Sequence, residues 1–168
     1  MTQYRASIID RLTDDDPENS REAVPLRTLD WEDFKASVRR DLEWLLNTRT
    51  SDPASLREKE ELTVLDYGIP DFGDYFITGK ADQQRLEKNL TRAITDFEPR
   101  LRGVKVGIQP VSDKAKEEMS REKSLRVVVE IVIAGMIVVE SEREPISFST
   151  VLEAKSGIGP LQERKTEF

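Results

Sequence analysis

The feature that most constrains the fold of this chain is a change in the spacing of its apolar residues at Glu98 and Pro99. Before this point, apolar residues recur with helical spacing over residues 31–48 and 82–97, and after it they follow strand patterns. Proline disfavours helical backbone at the preceding residue, so Glu98 and Pro99 predict the end of a helix. Helices followed by strands favour an α+β fold, with helices packed on one face of an antiparallel sheet.

Two amphipathic helices are predicted before the change. The first covers about residues 31–48, with Asp30 as its N-cap, and the second covers about residues 82–97, with Asp82 as its N-cap. Trp44 lies outside the apolar face of the first helix, because about 100° per residue places it nearly opposite Leu42. A segment of the same chain or a partner protein would cover this side chain, and the sequence leaves both interpretations open.

Three strand patterns follow, and they predict a small antiparallel three-stranded sheet. The first covers residues 104–111, the second residues 125–139 with a bend near Gly135, and the third residues 146–152. The charged residues 112–124 connect the first two strands and indicate a solvated loop. The third strand is short and follows Pro145, so we expect it at an open edge of the sheet.

The 168 residues are enough for a single domain with one core. Residues 1–29 are interpreted as an extended N-terminal arm, which cannot form a core alone. Residues 30–154 form the predicted domain, in which the two main helices pack on the three-stranded sheet. Residues 155–168, with Gly157, Gly159 and Pro160, are interpreted as a flexible C-terminal tail.

The composition excludes several classes of function. The chain has no cysteine and no histidine, which excludes disulfides, thiolate nucleophiles, imidazole-dependent catalytic triads and most transition-metal sites. The net charge of -7 is unlike the basic surfaces that bind nucleic acids or anionic membranes. No phosphate-binding glycine motif is present, and among 33 acidic residues the spacing of a carboxylate pair carries no information. We therefore predict no catalytic residue, no metal site and no cofactor.

Membrane insertion and secretion are not predicted either. The longest apolar run, residues 127–139, is interrupted by Glu130 and is too short to span a bilayer. Residues 1–16 lack the basic and apolar regions of a secretory signal. We expect a soluble cytoplasmic protein.

Glu98 has an unfavourable charge for its position. The C-terminal end of a helix carries unpaired carbonyl groups and favours cations by about 0.3–1 kcal/mol. A local ion pair with Arg100, Arg102 or Arg92 would compensate this charge, and so would a cation from a partner protein. The residues alone favour the local pair.

Four motifs follow one another along the chain: SIIDRLTDD, SVRRDLEWLLNTR, VLDYGIPDF and DFEPRL. Taken together over roughly residues 7–152, they resemble the TssE family of small baseplate wedge proteins in bacterial type VI secretion systems. This family is similar to phage tail wedge proteins of the gene-twenty-five type. The resemblance implies a structural component that is not an enzyme, located in the cytoplasm where the baseplate assembles at the inner membrane.

The resemblance also implies partners and contact residues. Such a subunit forms a wedge with TssF and TssG around the inner tube and supports initiation of the contractile TssB/TssC sheath, with TssK and the spike as further candidate partners. Glu98, Pro99 and Arg100 correspond to a Glu-Pro-Arg motif that docks on the helical bundle of the other wedge proteins. Sheath subunits of such systems join by strand exchange, so the expected edge strand is a second candidate interface, comprising Ser147, Phe148, Ser149, Thr150 and Val151.

Two other functions stay open from the sequence. Members of the family have carried a lysozyme label, so a peptidoglycan-cleaving glycoside hydrolase is the main alternative. That activity would need an acid and a nucleophile, which the sequence does not identify. A generic acidic adaptor that binds through Trp44 and the arm is the other alternative.

Overall fold

The structure, a computed structural model, describes residues 3–13, 18–19, 28–50, 62–71, 79–110, 128–139, 142–153 and 157–164. The chain divides into two compact units, Met1–Asp41 and Leu42–Phe168. The boundary lies within helix α2 (Trp31–Asn47), which confirms the first predicted helix. The predicted loop at residues 112–124 lies outside the described residues, and the predicted limits of the arm, domain and tail stay predictions.

The first unit contains a two-stranded antiparallel sheet, a short helix and the beginning of α2. The elements that precede α2 are β1 (Tyr4–Arg5), α1 (Ile8–Leu12) and β2 (Thr28–Leu29), with β1 paired to β2. Tyr4 is buried, and its ring centroid lies 5.1 Å from that of Trp31 and 5.4 Å from that of Phe34. This aromatic cluster therefore holds β1 against the first turn of α2.

Helix α2 begins where the sequence predicts. The Asp30 side chain caps it by accepting a hydrogen bond from the Asp33 backbone N–H at 2.9 Å. Trp44 lies outside the apolar face and is 45% exposed, as the helical spacing predicts. The buried apolar face consists of Phe34, Val38, Leu42, Leu45 and Leu46.

Helix α3 (Lys80–Phe97) confirms the second predicted helix, although it begins earlier than predicted. Gly79 is its N-cap, so Asp82 lies in the first turn, and the prediction of Asp82 as N-cap is wrong. An aspartate in the first turn is still favoured by the exposed N–H groups there. The buried face, which packs against the strand that follows α3, consists of Leu86, Leu90, Ala93 and Ile94.

The larger sheet lies in the second unit, and all of its pairings are antiparallel. Its three long strands, each paired with the next, are β3 (Leu101–Pro110), β4 (Val128–Val139) and β5 (Glu142–Glu153). Two short strands pair with β5 on its other side, namely β6 (Gly157–Ile158) and β7 (Gln162–Glu163).

The prediction of one three-stranded sheet is therefore wrong, although the chain does combine helices with antiparallel strands. The described residues form one sheet of two strands and one of five. The prediction treats the residues after 154 as a tail because of their glycines and proline. Ile158 and Leu161, however, are only 6% and 4% exposed, and burial of these two apolar side chains holds the segment on β5.

Strand β5 begins at Glu142, earlier than predicted, and contains Pro145. Pro145 is opposite Met136 of β4, and the described residues place no strand beside it on the other side. Proline is tolerated at such a position, because its missing N–H removes no hydrogen bond from the sheet when it points away from the neighbouring strand.

The expectation that residues 146–152 form an open edge is also wrong. Strand β7 pairs with β5 in the middle of this stretch. Beyond the paired residues, the Gly159 N–H donates to the Val151 carbonyl at 2.9 Å, and the Arg164 N–H donates to the Ser147 carbonyl at 2.8 Å. The chain itself therefore closes this side of β5.

A bulge lies near the start of β3, between Arg102 and Lys105. Gly103 has a φ of 62° there, a left-handed conformation that glycine adopts at little cost. The bulge leaves Leu101 opposite Ile137, with both side chains in the core. From Lys105 onwards the pairing with β4 is regular.

Candidate protein interface

The Glu-Pro-Arg motif forms a tight turn between α3 and β3. The Glu98 backbone N–H donates to the Ile94 carbonyl at 2.9 Å, so Glu98 closes the last helical turn. Its own carbonyl accepts from the Leu101 N–H at 3.1 Å, which makes residues 98–101 a β-turn with Pro99 at the second position. Proline presets the φ angle that this position needs, so the motif fixes the direction in which the chain leaves the helix.

The Glu98 side chain is buried in this turn, with 3% of the residue exposed. Its Oε1 accepts the Arg100 backbone N–H at 3.1 Å and the Arg100 Nε–H at 2.7 Å. Its Oε2 accepts from Nη2 of the same guanidinium. Carboxylate and guanidinium therefore form a two-bond fork, which is a strong and directional kind of ion pair.

This fork explains why an anion lies at the end of α3. The carboxylate is compensated by donors that follow the helix in sequence, so no cation at the helix carbonyls is required. The sequence leaves three local arginines open as partners of Glu98, and Arg100 is the one that pairs with it. Arg92 pairs with Asp96 instead, with 3.4 Å between Nε and Oδ2. Pro99 is exposed and the Arg100 side chain is 23% exposed, so these two residues are what the turn presents to solvent.

The loop motif VLDYGIPDF begins with a capped 3-10 turn (Val64–Asp66). The Thr63 backbone N–H and hydroxyl each donate to the buried Asp66 carboxylate at 2.8 Å. A single turn of this length cannot bury every side chain it carries, and Val64 and Leu65 are 90% and 77% exposed. Two large apolar side chains therefore lie on the surface of this loop.

Gly68 brings the loop against the end of α2. Its φ is 118°, and a Cβ there would lie 2.7 Å from the Thr48 carbonyl oxygen, so the position requires glycine. The Ile69 N–H donates to that same carbonyl at 2.9 Å. The Tyr67 ring meets the Phe97 ring edge-on, with 5.4 Å between centroids. The loop and the Glu-Pro-Arg turn are thus joined in one structure, the motif corner, which comprises residues 63–69 and 97–101.

The other predicted interface residues lie on different elements. Trp44 is on α2 and is partly exposed. On β5, Ser149 and Val151 are half-buried, whereas three residues are buried, namely Ser147, Phe148 and Thr150. A role for these residues in an interface stays a prediction, while the edge that suggested it for β5 is closed by β6 and β7.

A second buried carboxylate pair, in the first unit, is not predicted from the sequence. The Ser7 hydroxyl accepts the Asp10 backbone N–H at 3.1 Å, and Asp10 Oδ2 accepts the Ser7 N–H at 3.1 Å. Arg40 Nη1 then donates to Asp10 Oδ1 at 2.5 Å. The spacing of Ser7 and Asp10 is a capping-box pattern and could have identified the cap. No pattern in the sequence identifies Arg40, which lies 30 residues further along the chain.

The pKa of Asp10 is lowered and the pKa of Arg40 is raised, so both groups of this pair are held in their charged forms. Burial works to raise the pKa of Asp10, but hydrogen bonds from Ser7 and Arg40, with the Arg40 charge, outweigh it and hold the pKa below 3.8. Burial likewise works to lower the pKa of Arg40, and hydrogen bonds to Asp10 and Asp41 raise it. The Asp10–Arg40 ion pair therefore links the first sequence motif, SIIDRLTDD, to the second, SVRRDLEWLLNTR.

The described part of the chain holds no group of three or more acidic side chains placed to bind a metal ion. None of its helices combines the length and the apolar character needed to cross a lipid bilayer. The motif corner presents a proline, an arginine and two apolar side chains, and such groups are suited to contact another protein.

Comparison with known proteins identifies one family and one fold. The family model described as baseplate wedge protein gp25 matches residues 32–136, which is more than half of the chain. Among solved structures, a chain from "The baseplate complex from the type VI secretion system" is similar, with 17% sequence identity and a TM-score of 0.50. The match covers 80% of this chain and 97% of that one, and at this identity it shows a shared fold. No curated protein matches the sequence.

Proposed function

This chain belongs to the baseplate wedge protein gp25 family, and from that membership we propose that it is a structural wedge subunit of a type VI secretion baseplate. The match over residues 32–136 confirms the family resemblance predicted from the four motifs. The choice of apparatus is supported by the fold shared with a chain of the type VI secretion baseplate complex. The observation that carries the proposal is the motif corner, which holds an arginine and a proline at the surface in a fixed arrangement.

In this proposal the Glu98 carboxylate positions Arg100, and Pro99 and Arg100 contact the wedge proteins TssF and TssG. The fork already restricts the Arg100 side chain, so it loses little further conformational entropy when it binds. A pre-positioned guanidinium is well suited to carboxylate or carbonyl acceptors on a partner. Glu98 is therefore a positioning residue, and Pro99 and Arg100 are the contact residues.

Exposed apolar side chains support a larger contact surface. Val64 and Leu65 lie on the same motif corner, and Trp44 on α2 is 45% exposed. Apolar side chains that cluster on a surface mark sites of association, whereas single exposed ones are common on any protein surface. We assign Trp44, Val64 and Leu65 to the proposed wedge interface.

Co-expression with TssF and TssG tests the proposal. We expect the wild-type chain to co-purify with them, and Arg100→Ala to reduce recovery by at least about tenfold, as for a central interface arginine. Arg92→Ala is the control, since Arg92 is another arginine in a local ion pair, on α3, and its side chain is more exposed than that of Arg100. Circular dichroism of each variant separates loss of contact from loss of fold. Recovery of Arg100→Ala at the wild-type level would show that the motif corner is not part of the interface.

We also propose that the chain does not cleave peptidoglycan. A glycosidase acid needs a carboxyl oxygen directed at the substrate, whereas both Glu98 oxygens are occupied by Arg100. A turbidity assay with purified protein and cell walls tests this point. Reproducible lysis that survives further purification and is lost in a Glu98→Gln variant would favour the hydrolase instead.

The proposed wedge would act in the cytoplasm at the inner membrane, where it would support the first layer of the TssB/TssC sheath. A strain that lacks this chain should form no fluorescent sheath structures, and the wild-type gene should restore them. Normal sheath assembly in its absence would contradict this part of the proposal.

A further inference from the structure

Strand β4 is apolar on both of its sides. Successive side chains of a strand point to opposite faces of the sheet. On one face Ile131, Ile133 and Ile137 are no more than 1% exposed and belong to the core. On a sheet with one face in water, the alternate positions are polar. Here they form an apolar row, the β4 stripe, which consists of Val132, Ala134, Met136 and Val138.

The β4 stripe is accessible to contact. All of its residues are half-buried, so each keeps part of its surface exposed to solvent. Residues directly opposite one another on antiparallel strands share a face of the sheet. Val132 lies between Gly107 of β3 and Ser149 of β5, and Ser147 is opposite Ala134. These small neighbours cannot cover the stripe, although apolar residues on both sides are typical of a strand that is covered on both faces.

We infer that the β4 stripe binds an amphipathic helix of another protein, with an apolar side that faces the stripe and acidic side chains that flank it. The stripe contains no residue of the motif corner. This contact is therefore additional to the proposed one with TssF and TssG and goes beyond the proposed function.

A helix fits the stripe in length and in width. Residues 132–138 cover about 20 Å at about 3.3 Å per residue, which is the length of roughly 13 helical residues. Neighbouring strands lie about 4.8 Å apart, so β3 and β5 are about 10 Å from each other, close to the diameter of a helix with its side chains. One helix of about four turns would therefore cover the stripe and its neighbours on both strands.

Cations border the stripe on both sides. Lys105 of β3 is opposite Ala134, and Arg143 of β5 is opposite Val138. Both cationic residues are exposed. The whole chain has a net charge of -7, so these cations are not part of a generally basic surface. Glutamates on either side of the helix's apolar face would lie beside them, which favours an acidic partner and orients it.

The acidic residue of this face is already compensated. Glu130 lies two residues before the stripe and is buried. Gln109 Nε2 donates to its Oε2 at 3.1 Å, and Arg164 Nη1 lies 3.5 Å from its Oε1. Among the positions of β3, β4 and β5 on this face whose side chains the structure describes, Glu130 is the one acidic residue. An acidic helix would therefore meet little repulsion at the stripe.

Two other occupants fit the stripe less well. A second copy of this chain, packed face to face, would use the same surface twice and bring Lys105 and Arg143 towards like charges. An anionic membrane would attract these cations, but surfaces that insert into a membrane use aromatic and leucine side chains. The stripe is half-buried and contains neither.

The test uses the full chain labelled with ¹⁵N and the peptide acetyl-Glu-Leu-Ala-Glu-Leu-Leu-Glu-Glu-Leu-Ala-Glu-Leu-Leu-Glu-amide. Its leucines recur at helical spacing and its glutamates flank them. We expect chemical shift changes concentrated at residues 132–138. The twin peptide with lysine in place of glutamate should bind at least about fivefold more weakly, because it opposes Lys105 and Arg143.

Variants of the stripe and of its border separate apolar contact from charge. Val132→Thr keeps the shape but adds a hydroxyl, and it should weaken binding by at least about threefold. Lys105→Glu combined with Arg143→Glu should weaken the glutamate peptide and strengthen the lysine twin, each by at least about fivefold. Loss of fold would weaken both peptides, so opposite changes identify the charge contact. Lys88→Glu, at an exposed lysine of α3, is the matched control and should leave both affinities unchanged.

Several results would overturn the inference. Equal affinity for the two peptides, or shift changes at the motif corner instead of residues 132–138, would show that the stripe does not bind an acidic helix. A dimer of the free chain that protects residues 132–138 would assign the stripe to a second copy, and flotation with anionic phosphatidylserine vesicles would assign it to a membrane. A Met136 methyl group shielded from a soluble paramagnetic probe in the free monomer would mean that the chain's own residues cover it.

The proposed function fails separately, if the wild-type chain does not co-purify with TssF and TssG. Opposite responses of the two peptides to the Lys105→Glu and Arg143→Glu changes would then still establish the stripe as a helix-binding surface.

Discussion

Two buried carboxylates, Asp10 in the first unit and Glu98 in the second, are each held by an arginine, but they lie at opposite ends of their helices. Asp10 is in the first turn of α1, where backbone N–H groups favour an anion. Glu98 follows the last turn of α3, where carbonyl groups disfavour one. Asp10 binds Arg40, 30 residues away, whereas Glu98 binds Arg100, 2 residues away.

The difference in separation indicates a difference in role. The Asp10–Arg40 pair joins two helices that are distant in sequence, so it stabilises the packing of the first unit. The Glu98–Arg100 pair closes a turn that Pro99 already restricts, so it contributes less to packing and more to the orientation of the half-buried Arg100 side chain. Loss of the first pair should therefore lower stability, and loss of the second should mainly lower association.

The largest effect on stability is expected from Arg40→Ala. This change leaves the Asp10 carboxylate buried with Ser7 alone, and we expect a loss of about 2–3 kcal/mol in the free energy of unfolding. Urea unfolding followed by circular dichroism measures it. Arg39→Ala, an exposed neighbour on the same helix, is the control and should change stability by less than about 0.5 kcal/mol. Equal losses in the free energy of unfolding for the two variants would show that the Asp10–Arg40 pair does not stabilise the packing of the first unit.

A smaller loss, of about 1–2 kcal/mol, is expected from Arg100→Ala. Glu98 keeps its own place in the turn, and the backbone N–H of residue 100 still donates to its Oε1. The control is Arg102→Ala, which removes an exposed arginine from the same region. If Arg100→Ala destabilises the chain more than Arg40→Ala does, the two ion pairs do not differ in role as argued above.

The stability that Asp10 contributes relative to an uncharged replacement should depend on pH. Its folded pKa lies below the ordinary value of 3.8, so on acidification the unfolded chain takes up the proton first. The pair therefore contributes fully at neutral pH, and its contribution is lost as the pH falls below 3.8 and through the folded pKa. We expect Asp10→Asn to cost about 1 kcal/mol at pH 7.

The measurement is the difference in urea midpoint between wild type and Asp10→Asn at neutral pH and well below 3.8. The comparison between the two chains cancels the titration of the other carboxylates. The difference should shrink on acidification. A difference that is the same at both pH values would mean that Asp10 is not stabilised as an anion by Arg40.

The two pairs also show what the sequence could and could not predict. Glu98, Pro99 and Arg100 are adjacent, and helix and turn rules acting over four residues lead to the local pair. The partner of Asp10 depends on how two segments fold onto each other, which no local rule specifies. Helical spacing is a local rule, and it correctly places Trp44 outside the apolar face. It gives no indication of the hydrogen bond from the Ile108 N–H to the Glu87 carboxylate, which joins residues 21 positions apart.

The error in the sheet has a similar cause. Gly157, Gly159 and Pro160 disfavour regular structure locally, and this indicates a tail. Burial of Ile158 and Leu161 against β5 outweighs that tendency, but burial depends on tertiary neighbours and not on local composition. Of the three long strands, β4 contains runs of β-branched residues and β3 has them at alternate positions, so the existence of these strands could be predicted even though their ends could not.

The smallest effect on stability, about 0.5 kcal/mol, is expected from Pro99→Ala. Alanine fits the same turn and chiefly restores freedom to the unfolded chain. Pro160→Ala, at another exposed proline of the second unit, is the control for this general effect. If the corner is built to present Arg100, Pro99→Ala should reduce co-purification with TssF and TssG more than Pro160→Ala does, although the two variants are similarly stable. Equal recovery would mean that the fork alone orients Arg100 and that Pro99 serves only to end the helix.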